Sequence, residues 1–575
     1  MSEIISKPVN AETNTRNEKG HSALSGQKTV ARFVVDFLRN EGVRYVFGVP
    51  GGQPLAICDA IYDHDDIHFI ATRHENAAAH AADAIGRLTG IPGVCLATTG
   101  PGATNLITGV GGAFRDSSPV IVITANNNRK DMLRDDAQDA DHIALFQSLT
   151  KWSVLVSHPD HVHEILSEAF HRATTGNPGP VHIDFTRDVL LQKMPENARP
   201  VRRSMRTRIL ADTEQLGKAI DQLRNFRRPV LWAGNGVKIS QARQEVLELS
   251  EKFHIPVITT FNGIGAVPTT HDNVFGARSR MGSRLADEIL AEADLLIAVG
   301  NSLNGPSTSR WTVKLPDEII QIDIDASVIG RHYPNTLGVW GDAKESLNYI
   351  LRNCSVPDDV MEDRKKWLEQ LKERRTVWYQ QYVDVPGYAD KVPVKPQALI
   401  KAIGDHAPEG TIYCIDAGNP GIWSHILKIR ESNIYMKPVG FGNMAFSLPA
   451  AIAAKLTHPE RPVLCLVGDG SLGMSLAEIE TAVRCKTPIV IVVMNDLAYG
   501  NIKQEQLRDF GPRYIGVDFC DIRYDIVAKG CGAEGERVYN IPAFLEALKR
   551  GLKSDKPYLI DVLIDPDESV WTKPF

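Results

Sequence analysis

Two apolar runs in the last third of the chain end in oxygen ligands. The first, "VLCLVGDGSLGM", carries a buried-strand pattern into Gly-Asp-Gly-Ser and then into the helical stretch "SLAEIETAVRC". The second, "TPIVIVVM", ends in "NDLAYGN". A single strand-helix-strand crossover would set Asp469 beside Asn495 and Asp496 at the carboxyl ends of neighbouring strands, where open α/β sheets bind ligands. Glycines 468 and 470 allow close backbone approach, and the N–H groups at the helix mouth favour a phosphate. Carboxylates beside a phosphate cradle repel the ligand unless a hard divalent cation lies between them, so the spacing points to Mg²⁺ bridging protein oxygens and a diphosphate. Each piece alone is also an ordinary turn: Gly-Asp-Gly as a hairpin-like turn, Asn-Asp as a strand-end turn.

A second candidate lies far upstream. In "HFIATRHENAAAHAADAIGRLTG" a carboxylate, Glu75, stands where a strand-like run turns into an alanine-rich helix. Zinc is excluded, because His74 and His80 are six residues apart and face different sides of a helix, whereas a zinc helix needs a spacing of four. Two readings stay open: a first-turn carboxylate facing the helix dipole, or a buried carboxylate with a chemical role.

The elements that must position these residues recur along the chain. At 575 residues there is too much sequence for one core, and the domain-size prior suggests several, of which three is the working number. Short apolar runs alternate with helical patterns. The first series is "YVFGVPGG", "HFIATRHE", "GVCLATTGPG", "PVIVITANN" and "GPVHIDFT". The second is "RPVLWAGNG", "IPVITT", "ADLLIAVGNSLN" and "EIIQIDID". The third is "GTIYCIDAGNPG", "RPVLCLVGDG", "TPIVIVVMND" and "KPYLIDVLID". Strands alternating with helices predict parallel sheets covered on both faces. The expected fold is α/β, with three doubly wound parallel-sheet domains at residues 28–195, 210–355 and 385–575. A polar tail is expected over residues 1–27 and a basic, proline-bearing linker around 191–210.

With 64 Lys+Arg against 70 Asp+Glu, net charge is -6, which gives no electrostatic reason to expect nucleic acid or an anionic membrane as partner. The eight cysteines are scattered without a C-x-x-C pair and read as buried thiols in a reducing compartment. No stretch has the apolar length of a membrane span or the apolar core of a signal peptide, so the expected location is the cytoplasm and the expected partner a small molecule.

Asp496 lies 27 positions after Asp469 and is followed by Tyr499-Gly500. This resembles the thiamine diphosphate and magnesium signature of the superfamily of acetohydroxyacid synthase, pyruvate oxidase and benzoylformate decarboxylase. The likeness covers almost the whole chain after the tail, in the order pyrimidine-binding, central Rossmann-like and diphosphate-binding domain. It implies a metal site at Asp469, Asp496 and Ala498, with Gly470, Ser471, Tyr499 and Gly500 around the cofactor and Asn419 of "DAGNPG" lent to the diphosphate. Met444 of "GFGNMAFSLPAAIAAKL" would prop the cofactor in its bent form while the backbone at Gly442 receives its 4′-amino group. Asn105 of "TTGPGATN" would lie near the pyrimidine. The resemblance also implies that Glu75 bonds the pyrimidine N1′ from the neighbouring subunit and so activates the cofactor. It implies a homodimer at least, commonly a homotetramer; the small-residue helix "ENAAAHAADAIG" is expected to pack against a partner.

With that cofactor the reaction is C–C cleavage beside a carbonyl, carboligation, or both. A gapless match to the synthases over Thr124–Lys151 places Gln138 on their active-site glutamine. Three departures appear. Ala137 replaces an aromatic residue, "NSLNGPS" lacks the carboxylate-binding arginine, and Glu505 falls near the acceptor-pocket tryptophan. These favour a more polar, more acidic pocket around Asp139 and Glu505, and acetolactate formation is therefore not expected to be the main activity. A hydroxy-ketone or diketone lyase or hydrolase is the alternative, a 2-hydroxyacyl-CoA lyase is disfavoured by the short C-terminus, and a non-catalytic relative is disfavoured by Glu75. FAD in the central domain is possible but not predicted.

Overall fold

The computed structural model describes residues 28–195, 207–279 and 281–569. The expected tail and the middle of the expected linker lie outside them. The described residues form three six-stranded parallel sheets flanked by helices. In spatial order the first is His68–Ala71, Tyr45–Gly48, Gly93–Ala97, Val120–Asn126, Pro180–Thr186 and Trp152–Val156. The third is Ile434–Met436, Ile412–Ile415, Val463–Gly468, Val490–Asn495, Tyr558–Leu563 and Glu534–Val538. Their strand orders are identical. The central sheet runs Thr336–Trp340, Glu318–Asp323, Leu295–Val299, Pro229–Ala233, Val257–Thr260 and Val274–Arg278. Inner strands such as Val490–Asn495 and Gly93–Ala97 are buried along their whole length, as strands covered on both faces must be.

The first and third sheets share one core. Helix Glu75–Thr89 starts behind His74, whose Nδ1 accepts the Asn76 N–H at 3.1 Å, and ends at Gly90 with φ +71°, a left-handed cap that favours glycine. Its alanines 77, 78, 79, 81, 82 and 84 are buried. They let it lie close to helix Pro101–Arg115 on one side and helix Ser447–Thr457 of the third domain on the other. The expectation that this small-residue stripe seats a partner subunit is thus corrected: it is filled within the chain, because alanine faces let two further helices of the same chain approach. Asp116 fastens the same junction. It accepts from Arg87 at 2.9 Å, from Asn262 of the central domain at 2.9 Å, and from the amides of Val439 and Gly440 at 3.0 and 2.7 Å.

Among the described residues no helix is long and apolar enough to cross a membrane.

Candidate cofactor site

Strands Val463–Gly468 and Val490–Asn495 are hydrogen-bonded neighbours, with Gly468 opposite Met494. The crossover therefore delivers Asp469 and Asp496 to one edge, as the sequence pattern requires. The expected helix "SLAEIETAVRC" differs in detail: helix begins at Asp469 itself, runs to Ser475, and resumes over Glu478–Arg484. Asp469 thus occupies a first helical turn, where a carboxylate faces free N–H groups. It accepts from the Gly470 amide at 2.9 Å and, through its other oxygen, from the Ala498 amide at 3.1 Å. Asp496 accepts from Asn419 Nδ2 at 3.0 Å.

Burial raises the pKa of both carboxylates, and the charge of Asp496 raises that of Asp469 further. Two buried carboxylates, one of them held back from ionising by the charge of the other, form a donor set that a divalent cation would relieve. The remaining polar capacity points the same way. Asn419 Oδ1 is buried without a hydrogen-bond partner among the described residues, which a site shaped for a further polar group leaves behind. Gly500 is required by close approach, since a Cβ there would lie 1.8 Å from Asp496 Oδ2 and 2.6 Å from Asn419 Nδ2. A Cβ on Gly470 would meet the Tyr499 ring at 2.6 Å, and that ring stands edge-on to Phe519. Asp469, Asp496, Ala498, Asn419, Gly470, Tyr499 and Gly500 are therefore one cluster.

Ser471 turns inward. Its hydroxyl donates to Asp416 at 2.6 Å and accepts the Ala445 amide at 2.9 Å. Asp416 also takes the Ser447 amide and hydroxyl at 2.9 and 2.8 Å. This wholly buried carboxylate, missed from sequence, ties the Asp469 turn to the segment carrying Gly442 and Met444. Gly442 has φ +70° and open space where a side chain would stand. Met444 is half-buried beside it, followed by Ala445, also at φ +70°.

The first domain presents a second cluster. Glu75 is 8% exposed and its Oε2 accepts from Asn105 Nδ2 at 2.9 Å. Gly102 packs against the same carboxylate, a Cβ there standing 3.5 Å from Oε1. Gln138 is exposed with φ +62°, and its carbonyl accepts the Thr99 hydroxyl at 3.1 Å, so it borders the glycine loop that leads to Asn105. Beneath that loop His142 accepts the Gly100 amide at 3.1 Å and bonds Asp184 at 3.0 Å. The polar letter Asp184 inside the buried strand "PVHIDFT" was the signal for one member of this pair; His142, on helix His142–Gln147, left none.

Asp139 and Glu505 are not joined by a hydrogen bond or ion pair. Asp139 takes the Arg134 amide in its own loop, while Glu505 sits on helix Gly500–Phe510.

Comparison with known proteins decides the family. Residues 28–145 match the thiamine pyrophosphate enzyme N-terminal TPP binding domain, residues 216–350 the central domain, and residues 416–562 the C-terminal TPP binding domain. The chain belongs to the thiamine pyrophosphate enzymes. Among its relatives, a probable acetolactate synthase large subunit of Methanocaldococcus jannaschii is 35% identical over 94% of this chain and 92% of its own length. The acetolactate synthase isozyme 2 large subunit of Escherichia coli is 33% identical over 94% and 96%. The acetolactate synthase large subunit of Corynebacterium glutamicum is 31% identical over 96% and 89%. This thiamine pyrophosphate enzyme thus has the synthase layout expected from its sequence. The expectation against acetolactate formation finds no support in the names of these relatives.

Proposed function

We propose that the chain is a Mg²⁺-dependent enzyme that cleaves a 2-oxo acid beside its carbonyl and joins the remaining fragment to a second carbonyl compound. The observation that carries this reading is the buried Asp469–Asp496 pair, held by Asn419 and the Ala498 amide at the mouth of a helix. Asp469, Asp496 and the Ala498 carbonyl would hold the metal, with the diphosphate against Asn419 and the amides at Gly470 and Ser471. When bound, thiamine diphosphate supplies a thiazolium carbon that adds to a carbonyl and accepts the electron pair of the breaking C–C bond.

The protein's own work is placement and proton control. Glu75 would hold a proton at the pyrimidine nitrogen from a site 8% exposed to water, with Asn105 fixing its carboxylate. Met444 and the Gly442 backbone would orient the ring, and Gln138 would face the substrate at the edge of the glycine loop. The relatives' names favour carboligation, with acetolactate the first product to seek. Ala137, the arginine-free loop "NSLNGPS" and Glu505 bear on which second carbonyl compound is accepted. A homodimer with cofactors between subunits, or a tetramer of two such dimers, is the assembly this reading requires.

The test supplies thiamine diphosphate and Mg²⁺ with pyruvate, other 2-oxo acids and hydroxy-ketones, following CO₂ and products. Coupled products are expected. Cleavage of hydroxy-ketones with no CO₂ from any 2-oxo acid would replace this reading with a lyase.

A further inference from the structure

A cavity of about 800 Å³ opens where the three domains meet, bounded by Arg87 and Phe170 of the first, Lys238 and Arg243 of the central and Tyr435 of the third. None of its lining residues belongs to the cofactor clusters. Its walls mix carbon surface with unbalanced charge. Among the described residues that line it, Arg87, Arg208, Lys238 and Arg243 are set against two carboxylates, Glu41 and Asp116.

Two of the four cations are already paired, Arg87 with Asp83 at 2.7 Å as well as with Asp116, which leaves Lys238 and Arg243. Asp116 is occupied by Arg87, Asn262 and two amides, and Arg208 is paired with Asp342 at 3.0 Å. Among the described residues Arg243 reaches only backbone carbonyls, those of Ala266, Gly265 and Glu431. Lys238 has one long contact, Nζ to the Ile264 carbonyl at 3.4 Å, and no carboxylate within ion-pair distance among the described residues. Burial, with Arg87 and Arg243 nearby, pushes the Lys238 ammonium down to about 7, as expected of a cation without its counter-ion.

We propose that this cavity binds an organic phosphate monoester with an apolar body, its phosphate held by Lys238 and Arg243 and its body lying against Phe37, Phe170 and Tyr435. A dianion suits two cations that lack carboxylates, and a guanidinium beside an ammonium is a common phosphate-binding pair. The cavity volume fits a small organic ligand rather than an inorganic ion. A ligand there would touch Arg87 and Asp116, whose bonds to the Lys437 carbonyl and to the Val439 and Gly440 amides anchor the segment leading to Met444.

Phenyl phosphate is the probe, titrated calorimetrically into protein saturated with thiamine diphosphate and Mg²⁺ so that the diphosphate site is filled. Binding is expected, weakened at least about tenfold by Lys238→Met and largely kept by Lys238→Arg. No binding to the native protein, or equal binding to Lys238→Met, overturns the proposal. A second measurement needs no variant: acylation of Lys238 by acetic anhydride, followed by peptide mass spectrometry, should slow about fivefold or more with saturating phenyl phosphate. An unchanged rate likewise overturns it.

Discussion

Glu75 Oε2 and Asn105 Nδ2 stand 2.9 Å apart, joining the first turn of one alanine-rich helix to the first turns of the next. The carboxylate is thereby aimed by a neighbour thirty positions away, and little water reaches it. A group so held can exchange a proton with a ligand without first shedding solvent. Glu75→Gln keeps the shape and an oxygen able to accept from Asn105, but cannot manage a proton. Turnover should fall about 10²–10⁴-fold, while calorimetry shows cofactor affinity within a few-fold of wild type. Activity near wild type would remove Glu75 from its assigned role.

At Gly500 the constraint is space alone. The missing side chain leaves room for Asp496 and Asn419, and a methyl group would fall 1.8 Å from the Asp496 carboxylate. Overpacking of this kind costs about 1–3 kcal/mol and displaces a proposed metal ligand. Gly500→Ala should bind thiamine diphosphate at least about tenfold more weakly at fixed Mg²⁺. Unchanged affinity would separate Asp496 from the metal site.

His80 supplies a pH signature. It is fully buried, edge-on to Phe446 and in contact with Asn443 Nδ2 at 3.3 Å, and burial lowers its pKa from 6.5 to about 3. The folded value lies below the unfolded one, so the unfolded chain takes up a proton first as pH falls. Stability contributed by the neutral ring is complete above pH 6.5 and is lost progressively toward pH 3, about 1.4 kcal/mol per unit well below 6.5. Denaturant midpoints of native protein and His80→Met, compared from pH 7 to 5, should converge as pH falls. Parallel curves would show that His80 titrates normally when folded.

Much of this arrangement was legible in the sequence, and the losses have a physical pattern. The strands left out of the apolar runs are Trp152–Val156, Val274–Arg278, Thr336–Trp340, Ile434–Met436 and Glu534–Val538, and each lies at a sheet edge. An edge strand is paired on one side and often half-exposed, as Trp152–Val156 and Thr336–Trp340 are. It therefore lacks the continuous apolar run of an inner strand. The site shows the same division. Asp469, Asp496 and Glu75 announce themselves by standing where apolar runs end. Asp416 ends a run too, in "CIDAGNPG", but its partners Ser447 and Ser471 lie 31 and 55 positions away. Such a network exists only after folding and leaves no local spacing to read.

Support for assembly has shifted from the small-residue helix to the surface near the Asp469–Asp496 cluster. Phe441, Met474, Ile502, Leu507, Phe510 and Ile515 are all more than 40% exposed, and they sit on segments flanking Gly442, Asp469 and Gly500. Large apolar side chains gathered on such segments fit a subunit interface better than water. If that interface brings the partner's first domain over the Asp469–Asp496 cluster, one cofactor uses Glu75 from one subunit and Asp469 from the other. Glu75→Gln should then be inactive because it lacks proton control, and Asp469→Ala because it lacks a metal ligand. Mixed under exchange, the two proteins form heterodimers in which one site carries both changes and the other carries neither. Random mixing should restore roughly a quarter of the sites. No recovery, with exchange shown by mass-tagged subunits, would place both ends of the cofactor on a single chain.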